Sequence, residues 1–182
     1  MRCDLERTYA ELMDTPLGAI SFVATDRGLQ RVAFSSLIKL KMLAGRREEQ
    51  PSLQGLQTLS DLMEEMNTYL FGLRKTFSIR VDWEILEGFQ RKVLNRTAEI
   101  PYGEVMTYGE IAQEIGQPGA ARAVGRALGA NPMPVVIPCH RVIGADQRLR
   151  GYIGGLAKKK FLLTLEDHRI EDGRLQAQKI TR

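Results

Sequence analysis

A cysteine and a histidine stand side by side at Cys139 and His140, between an apolar run and a glycine-rich turn. A thiolate is the strongest nucleophile among protein side chains, but an unperturbed cysteine is mostly protonated at neutral pH. A base must therefore reach the sulfur, and His140 is the candidate. Because neighbouring side chains on an extended segment point to opposite faces, we expect a water molecule to bridge the two rather than direct contact.

Cysteine is rare in this chain of 182 residues, which holds only Cys3 and Cys139. One disulfide between them is conceivable, but neither lies in a Cys-x-x-Cys pair or a histidine-rich pattern, so we predict no disulfide framework and no metal site. Cys3 lies in a terminus that is expected to fray, which leaves Cys139 as the functional thiol. The first residues include acids and no apolar core, so we expect no secretory signal, and no apolar run reaches the roughly 18 residues that a membrane helix needs. We expect a cytoplasmic protein with free thiols.

Positive charge is concentrated in the half of the chain that holds the Cys139 thiol. Residues 1–87 carry 11 lysine and arginine residues against 13 acidic ones, a net charge of −2. Residues 88–182 carry 15 against 9, a net charge of +6. This bias favours an anionic partner such as nucleic acid, although a merely basic surface explains it equally well.

The first half of the chain predicts a small α/β domain. Strand-like segments at 19–25 and 29–34 are joined by turn residues, which predicts a hairpin. A short basic helix within 37–55 precedes an amphipathic helix over 54–71, predicted from apolar residues at helical spacing. Apolar residues then alternate with polar ones over 77–83, which predicts a half-buried strand. We place this domain at residues 1–83 and a linker at 84–88, and see no chemistry here.

The second domain, residues 89–182, begins with three predicted helices. The first ends before Pro101. Thr107 and Glu110 have the spacing of a capping box, which begins a second helix. A third helix at about 120–129 follows a four-residue turn. This order in a basic domain is the outline of a helix-turn-helix.

The remainder of the second domain predicts a wing and a closing helix. Segments 135–143 and about 148–152 are strand-like and would form the wing. The last helix, at about 156–167, is expected to expose lysines 158–160. It is expected to bury three apolar residues, Phe161, Leu162 and Leu165. The tail after His168 is polar, and we expect it to be disordered.

Four elements in this order resemble the O6-alkylguanine-DNA alkyltransferase family. They are the helix Ala120–Gly125, the pair Asn131-Pro132, the segment Pro138-Cys139-His140-Arg141-Val142 and the turn Tyr152-x-Gly154-Gly155. The resemblance covers about residues 89–167, and Thr15-Pro16-Leu17-Gly18 resembles the amino-terminal domain of the family. It implies an α/β fold with two parts: a small ribonuclease H-like α/β domain, then a winged helix-turn-helix domain that carries the cysteine.

The resemblance implies DNA repair by direct transfer of an alkyl group from O6-alkylguanine to Cys139. The product is an irreversible thioether, so each molecule reacts once, and the target nucleotide is flipped out of the duplex first. No cofactor is needed because the lesion is the donor. The first domain lacks the Cys/His set of the zinc site in some relatives, so no metal is expected. The sequence leaves open whether O4-alkylthymine is also a substrate.

The resemblance assigns catalytic roles to five residues. Cys139 is the nucleophile, and His140 is the base that acts through water. Glu166 matches the carboxylate that orients the imidazole ring. Asn131 ties the backbone at the bend before the active-site segment. Tyr108 matches the tyrosine that donates to guanine N3 as the leaving base gains charge.

The resemblance also implies double-stranded DNA as the partner, bound through the minor groove by a protein that is monomeric when free and has no membrane contact. Arg122 matches the residue that fills the place of the flipped base. Small residues of the same helix let the backbone approach DNA: Ala121, Ala123 and Gly125. The guanine pocket is lined by backbone groups around Val142 and by Tyr152 and Ile153.

Three other functions explain parts of the sequence. A non-enzymatic lesion sensor fits the DNA-binding elements, but such proteins have another residue at the position of Cys139. A winged-helix regulator explains the basic domain but not the set of Asn131, Cys139, His140 and Glu166. A Cys/His hydrolase would need an acyl pocket, which nothing here resembles. Ile153 departs from the small residue that is usual in the family, and we expect it to favour methyl over bulky alkyl groups.

Overall fold

The computed structural model describes residues 6–44 and 51–176, so Cys3 lies outside the described residues. The chain divides into two compact units, residues 1–85 and 86–182. Within the described ranges, none of the helices has both the length and the apolar character to cross a bilayer.

An antiparallel sheet of three strands, arranged in chain order, forms the base of the first unit. Its strands are β1 (Thr8–Leu12), β2 (Ile20–Thr25) and β3 (Gly28–Ala33), followed by the helices α1 (Leu37–Ala44) and α2 (Leu53–Leu70) and a 3-10 turn at Trp83–Ile85. The central strand β2 is buried along its whole length, and both helices contact the sheet. The predicted hairpin and helices are confirmed. Strand β1 escapes prediction because its five residues show no clear alternation.

The strand predicted at residues 77–83 is wrong. Only Val81 joins the sheet, through a single parallel bridge to Leu29. The amide and the hydroxyl of Ser78 instead donate to the buried carboxylate of Glu65. Because a side chain satisfies this backbone, the segment needs no neighbouring strand. Its alternating apolar residues are nevertheless half-buried, as the sequence pattern indicates.

The second unit opens with the helices that the sequence predicts. They are α3 (Gly88–Ala98), α4 (Tyr108–Glu114) and α5 (Ala121–Gly129), with a two-residue strand β4 (Met106–Thr107) before α4. The capping box is confirmed, since the Thr107 hydroxyl accepts from the Glu110 amide and the Glu110 carboxylate accepts from the Thr107 amide. Helices α3, α4 and α5 contact one another and form the helix-turn-helix.

Beyond α5 the chain is mostly irregular. Its elements are a 3-10 turn at Cys139–Arg141, strand β5 (Val142–Ile143), helix α6 (Leu156–Leu165) and a hairpin of β6 (Ile170–Glu171) and β7 (Arg174–Leu175). Strand β5 pairs in parallel with β4, which fixes the segment after Cys139 beside the start of α4. The C-terminal hairpin lies in the tail predicted as disordered, so that prediction is wrong for residues 169–176, and residues 177–182 lie outside the described residues.

The strands predicted for the wing at 135–143 and 148–152 are wrong over most of their length. Val135 adopts a left-handed backbone with φ of 75°, and only the last two residues of the first segment are a strand. In the second segment, the Leu149 amide donates to the Gly173 carbonyl, so this stretch pairs with the C-terminal hairpin. The composition of 135–143, rich in valine and isoleucine, is typical of a strand, but Pro138 has no amide hydrogen to donate to a neighbouring strand.

Helix α6 buries Leu162 as predicted, but its other buried residues differ from the prediction. Its buried residues are Lys159, Leu162 and Leu163, whereas Phe161 and Leu165 are half-buried. Lys160 is exposed and Lys158 half-buried, so the prediction of three exposed lysines is wrong for Lys159.

Candidate active site

Cys139 begins the 3-10 turn that ends at Arg141. Its amide donates to the Ile137 carbonyl over 2.8 Å, and the Arg141 amide donates to the Pro138 carbonyl over 2.9 Å. The segment is therefore a tight turn and not an extended strand. The expectation that Cys139 and His140 point to opposite faces of a strand is wrong. Both side chains are buried, with 5% of Cys139 and none of His140 exposed.

Asn131 is the side chain that fixes the Cys139 sulfur. It is completely buried, and its Nδ2 donates to Cys139 Sγ over 3.1 Å and to the Ile137 carbonyl over 3.0 Å. Its Oδ1 accepts from the Met133 amide over 3.0 Å. One amide group therefore holds both ends of the bend that includes the left-handed Val135 and presents a donor to the sulfur.

The sulfur lies in an environment that keeps it protonated at rest. Burial raises the pKa of the Cys139 thiol to about 11, against the lowering effects of the Asn131 hydrogen bond and the Lys159 charge. Transfer of the proton to a base is thus required before the sulfur can act as a nucleophile.

His140 and Glu166 form a buried pair, with 2.9 Å between Nε2 and Oε1 and neither side chain exposed. An ionised carboxylate can only accept, so the hydrogen lies on Nε2 and the lone pair of the neutral ring on Nδ1. Burial lowers the pKa of His140, although the Glu166 hydrogen bond acts to raise it. The resting ring is neutral and can take up a proton.

Arg141 holds the other side of the same carboxylate. Its Nη2 donates to Glu166 Oε1 over 2.8 Å, its Nε donates to Oε2 over 2.9 Å, and its Nη1 donates to the Ile100 carbonyl over 2.6 Å. The Gly103 amide donates to Oε2 over 3.1 Å. Burial opposes ionisation of Glu166, but hydrogen bonds from His140 and Arg141 hold its pKa well below the usual range. The carboxylate stays charged throughout the neutral range.

A surface pocket of about 510 Å³ lies between the start of α4, helix α5 and the loop before α6. Its lining residues are Tyr108, Ala121, Arg122, Gly125, Gly129, Arg150, Gly151, Tyr152 and Ile153. The ring of Tyr108 lies against Gly125, where an added Cβ would meet Cε1 at 3.7 Å. Burial, followed by the charge of a Cys139 thiolate, raises the pKa of Tyr108, so this hydroxyl stays protonated.

The residues predicted from the sequence thus fall into two groups. Four are buried together around the turn: Asn131, Cys139, His140 and Glu166. Six line the pocket: Tyr108, Ala121, Arg122, Gly125, Tyr152 and Ile153. Ala123 is half-buried outside this lining, and Val142 is buried with its carbonyl bound to Lys159.

Two charged residues of the site have no role in the sequence analysis. Lys159 carries a readable signal, because its spacing from Leu162, Leu163 and Glu166 is that of one helical face. A lysine on the same helical face as buried leucines is unusual. Arg141 gives no comparable signal, since a basic residue two positions after Cys139 is compatible with an exposed surface.

Comparison with known proteins bears on both units. Residues 8–83 match the family model described as 6-O-methylguanine DNA methyltransferase, ribonuclease-like domain. Residues 88–168 match the model described as 6-O-methylguanine DNA methyltransferase, DNA binding domain. This chain belongs to the 6-O-methylguanine DNA methyltransferase family. The α/β fold with a ribonuclease-like first domain that the resemblance implies is confirmed.

Individual members of the family are similar over most of their length. The methylated-DNA–protein-cysteine methyltransferase of Methanosarcina acetivorans is 39% identical over 160 residues, which are 87% of this chain and 97% of the relative. The protein of the same name from Mycolicibacterium paratuberculosis is 41% identical over 154 residues, 85% of this chain and 89% of the relative. The protein in the crystal structure of Mycobacterium tuberculosis OGT in complex with DNA has 36% sequence identity to this chain. Its TM-score is 0.71, and the match covers 87% of this chain and 91% of the Mycobacterium tuberculosis chain.

Proposed function

We propose that this chain repairs DNA by transferring the alkyl group of O6-alkylguanine to Cys139 Sγ, and that each molecule reacts once. The observation that carries the proposal is the hydrogen bond from Asn131 to Cys139 Sγ beside a buried histidine–carboxylate pair, in a member of this family. Relatives named methylated-DNA–protein-cysteine methyltransferases support this reaction class.

The transfer is a displacement at carbon. The proton of Cys139 passes through one water molecule to Nδ1 of His140, whose positive charge Glu166 stabilises. The thiolate then forms a C–S bond as the C–O6 bond breaks, and the electron pair of that bond passes to the guanine, which takes up a proton. The Tyr108 hydroxyl donates to guanine N3 as the base gains negative charge. The products are a thioether at Cys139 and an unmodified guanine.

The partner is double-stranded DNA that carries O6-alkylguanine, bound in the minor groove. A pocket of about 510 Å³ has the size of a small-ligand site and is lined by Tyr108 and Tyr152, whose rings can contact a flipped base. Arg122 lines the same pocket, and its side chain fills the space that the flipped base leaves among the stacked base pairs. The crystal structure of a relative in complex with DNA supports binding to DNA as such.

Several broader features belong to the same proposal. Residues 84–88 link the two domains, and the free protein is monomeric. A thiol nucleophile has to stay reduced, which favours the cytoplasm as the compartment.

The test is the intact mass of the protein after incubation with a duplex that contains one O6-methylguanine. Wild type should gain one CH2 at one equivalent of DNA, with the added group on Cys139, and the control Cys139→Ala should gain nothing. Tight binding to the damaged duplex without a change in mass would replace the proposal with a lesion sensor or regulator.

A further inference from the structure

The C-terminal hairpin of β6 and β7 forms a small sheet with the segment that leads into the pocket. The Leu149 amide donates to the Gly173 carbonyl, and the Leu175 amide donates to the Gln147 carbonyl, each over 2.9 Å. The two segments thereby pair as antiparallel neighbours. Because β6 pairs with the other side of β7, β7 is the central strand of three. Three strands with an apolar face are more stable than an isolated hairpin.

The hairpin is specified by its own sequence. Asp172 and Gly173 have φ values of 48° and 71°, and a two-residue loop with positive φ at both positions is the turn that suits a tight hairpin. Ile170 and Leu175 lie opposite each other across the two strands and are half-buried. Residues 170–175 also lie beyond the match to the DNA binding domain of the family, which ends at residue 168. The hairpin is thus an ordered addition to the matched domain.

The segment that pairs with the hairpin continues directly into the pocket wall. Leu149 precedes four consecutive lining residues, 150–153, which we call the pocket loop. Glycines at 151, 154 and 155 give this stretch a flexible backbone. Its far end is fixed where Gly155 begins helix α6. Its near end is fixed where the Leu149 amide binds the hairpin.

Other contacts restrain the near end of the pocket loop less. Arg150 Nη2 lies 2.8 Å from Asp146 Oδ2, but both side chains are exposed, and exposed ion pairs contribute little to stability. The Arg150 carbonyl accepts from Lys159 Nζ over a long 3.4 Å. The two backbone hydrogen bonds of 2.9 Å to the hairpin are therefore the tighter restraint.

We propose that the C-terminal hairpin is a positioning element for alkyl transfer, which holds the pocket loop in place and thereby makes the pocket select small alkyl groups over bulky ones. This inference rests on the proposed function. Ile153 lies at the end of the pocket loop, so its ability to exclude a bulky group depends on a backbone that cannot move away. The hairpin supplies that resistance without contacting the reacting atoms.

The experiment compares single-turnover transfer from saturating duplexes that carry O6-methylguanine or O6-benzylguanine. Gly173→Val should open the hairpin, because a β-branched residue disfavours a φ of 71°, although an added Cβ would meet no atom within 4 Å. We expect hydrogen exchange of the Leu149 amide to lose its protection and the ratio of benzyl to methyl rate to rise about fivefold or more. Gly173→Asn is the matched control, since asparagine tolerates this conformation, and should keep both properties.

The pH profile of methyl transfer should stay that of wild type in every variant, because the hydrogen bonds among Cys139, Asn131, His140 and Glu166 are untouched. A general loss of structure would instead lower both transfer rates together. The selectivity ratio therefore separates positioning of the pocket loop from a merely structural role.

Leu175→Pro is the second variant, which removes the amide that donates to Gln147 and leaves the turn at Asp172 and Gly173 unchanged. Thermal melting identifies a variant that fails to fold, and the other then carries the test. Loss of Leu149 protection with a wild-type selectivity ratio, or with an equal fall of both rates, overturns the inference. So does protection of Leu149 that persists in both variants. Absence of a mass gain in wild type overturns the proposed function, whereas Leu149 exchange is measured without DNA and tests the hairpin separately.

Discussion

Arg141 and Glu166 form an ion pair that is almost completely shielded from solvent, with 2.8 Å between Nη2 and Oε1. Removing one member of such a pair is costly, because the other charge then stays buried without a partner.

Glu166→Gln should therefore lower the free energy of unfolding by about 3–5 kcal/mol and slow methyl transfer about a hundredfold. Adding Arg141→Met should recover part of the stability, since the unpaired cation is gone, but not the rate. Urea denaturation and single-turnover transfer measure the two effects. Equal stability of the single and double variants would contradict the assignment.

Asn131→Asp tests the amide that faces the sulfur. The change keeps the size of the side chain but replaces the Nδ2 donor with an oxygen, which repels a thiolate and loses the bond to Ile137. We expect a free energy of unfolding lower by about 1–3 kcal/mol and a methyl-transfer rate lower by more than tenfold. Asn131→Ser is the comparison that shortens the side chain without adding charge. A faster reaction in the aspartate variant would rule out the stabilising role.

The helices and the first hairpin follow from the sequence because their signals are local. The capping box of Thr107 and Glu110 and the apolar spacing of α2 need no distant partner. The turn at Cys139 is different. Its conformation depends on Asn131, eight residues away, while its valines and isoleucines have the composition of a strand. Local pattern therefore predicts a wing strand where long-range hydrogen bonds impose a turn.

The sequence predicts the site only as far as the resemblance to a known family identifies its residues. Glu166 alone would be interpreted as an exposed acid near a helix end, yet it is fully buried. Its partner Arg141 and the buried Lys159 are not predicted, because their burial is decided by how α6 packs on the turn.

Acid should destabilise the protein through His168, which is buried and whose Nε2 has no hydrogen-bond partner among the described residues. Burial lowers its pKa, so below the unfolded value of about 6.5 the unfolded chain binds more protons than the folded one. The contribution of neutral His168 to the free energy of unfolding is therefore fully present above about pH 6.5 and falls as the pH decreases toward the folded pKa. His168→Leu should reduce the slope of the free energy of unfolding against pH by up to about 1.4 kcal/mol per pH unit.

The measurement for this prediction is urea denaturation of wild type and His168→Leu between about pH 7.5 and 5. His140 titrates in both proteins, so a residual slope is expected in the variant. Parallel curves for the two proteins would refute the contribution of His168.

Ile153 should set the size of the alkyl group that is accepted. It lines the pocket with 49% of its surface exposed. We expect wild type to remove methyl faster than benzyl, and Ile153→Ala to raise the benzyl rate about tenfold or more while the methyl rate changes little. Competition between the two lesions in duplex DNA measures the ratio. Equal or faster benzyl transfer in wild type would contradict the prediction.

The burial of Cys139 has a consequence for the proposed reaction, in which each molecule reacts once. Dissolved electrophiles and oxidants attack thiolates that they can reach, and here 5% of the residue is exposed and its thiol is protonated at rest. Such reagents compete poorly for this sulfur, whereas under the proposed function the damaged base is bound in the pocket that Tyr108 lines. Under that proposal, burial protects the thiol from inactivation by dissolved reagents before it meets a damaged base.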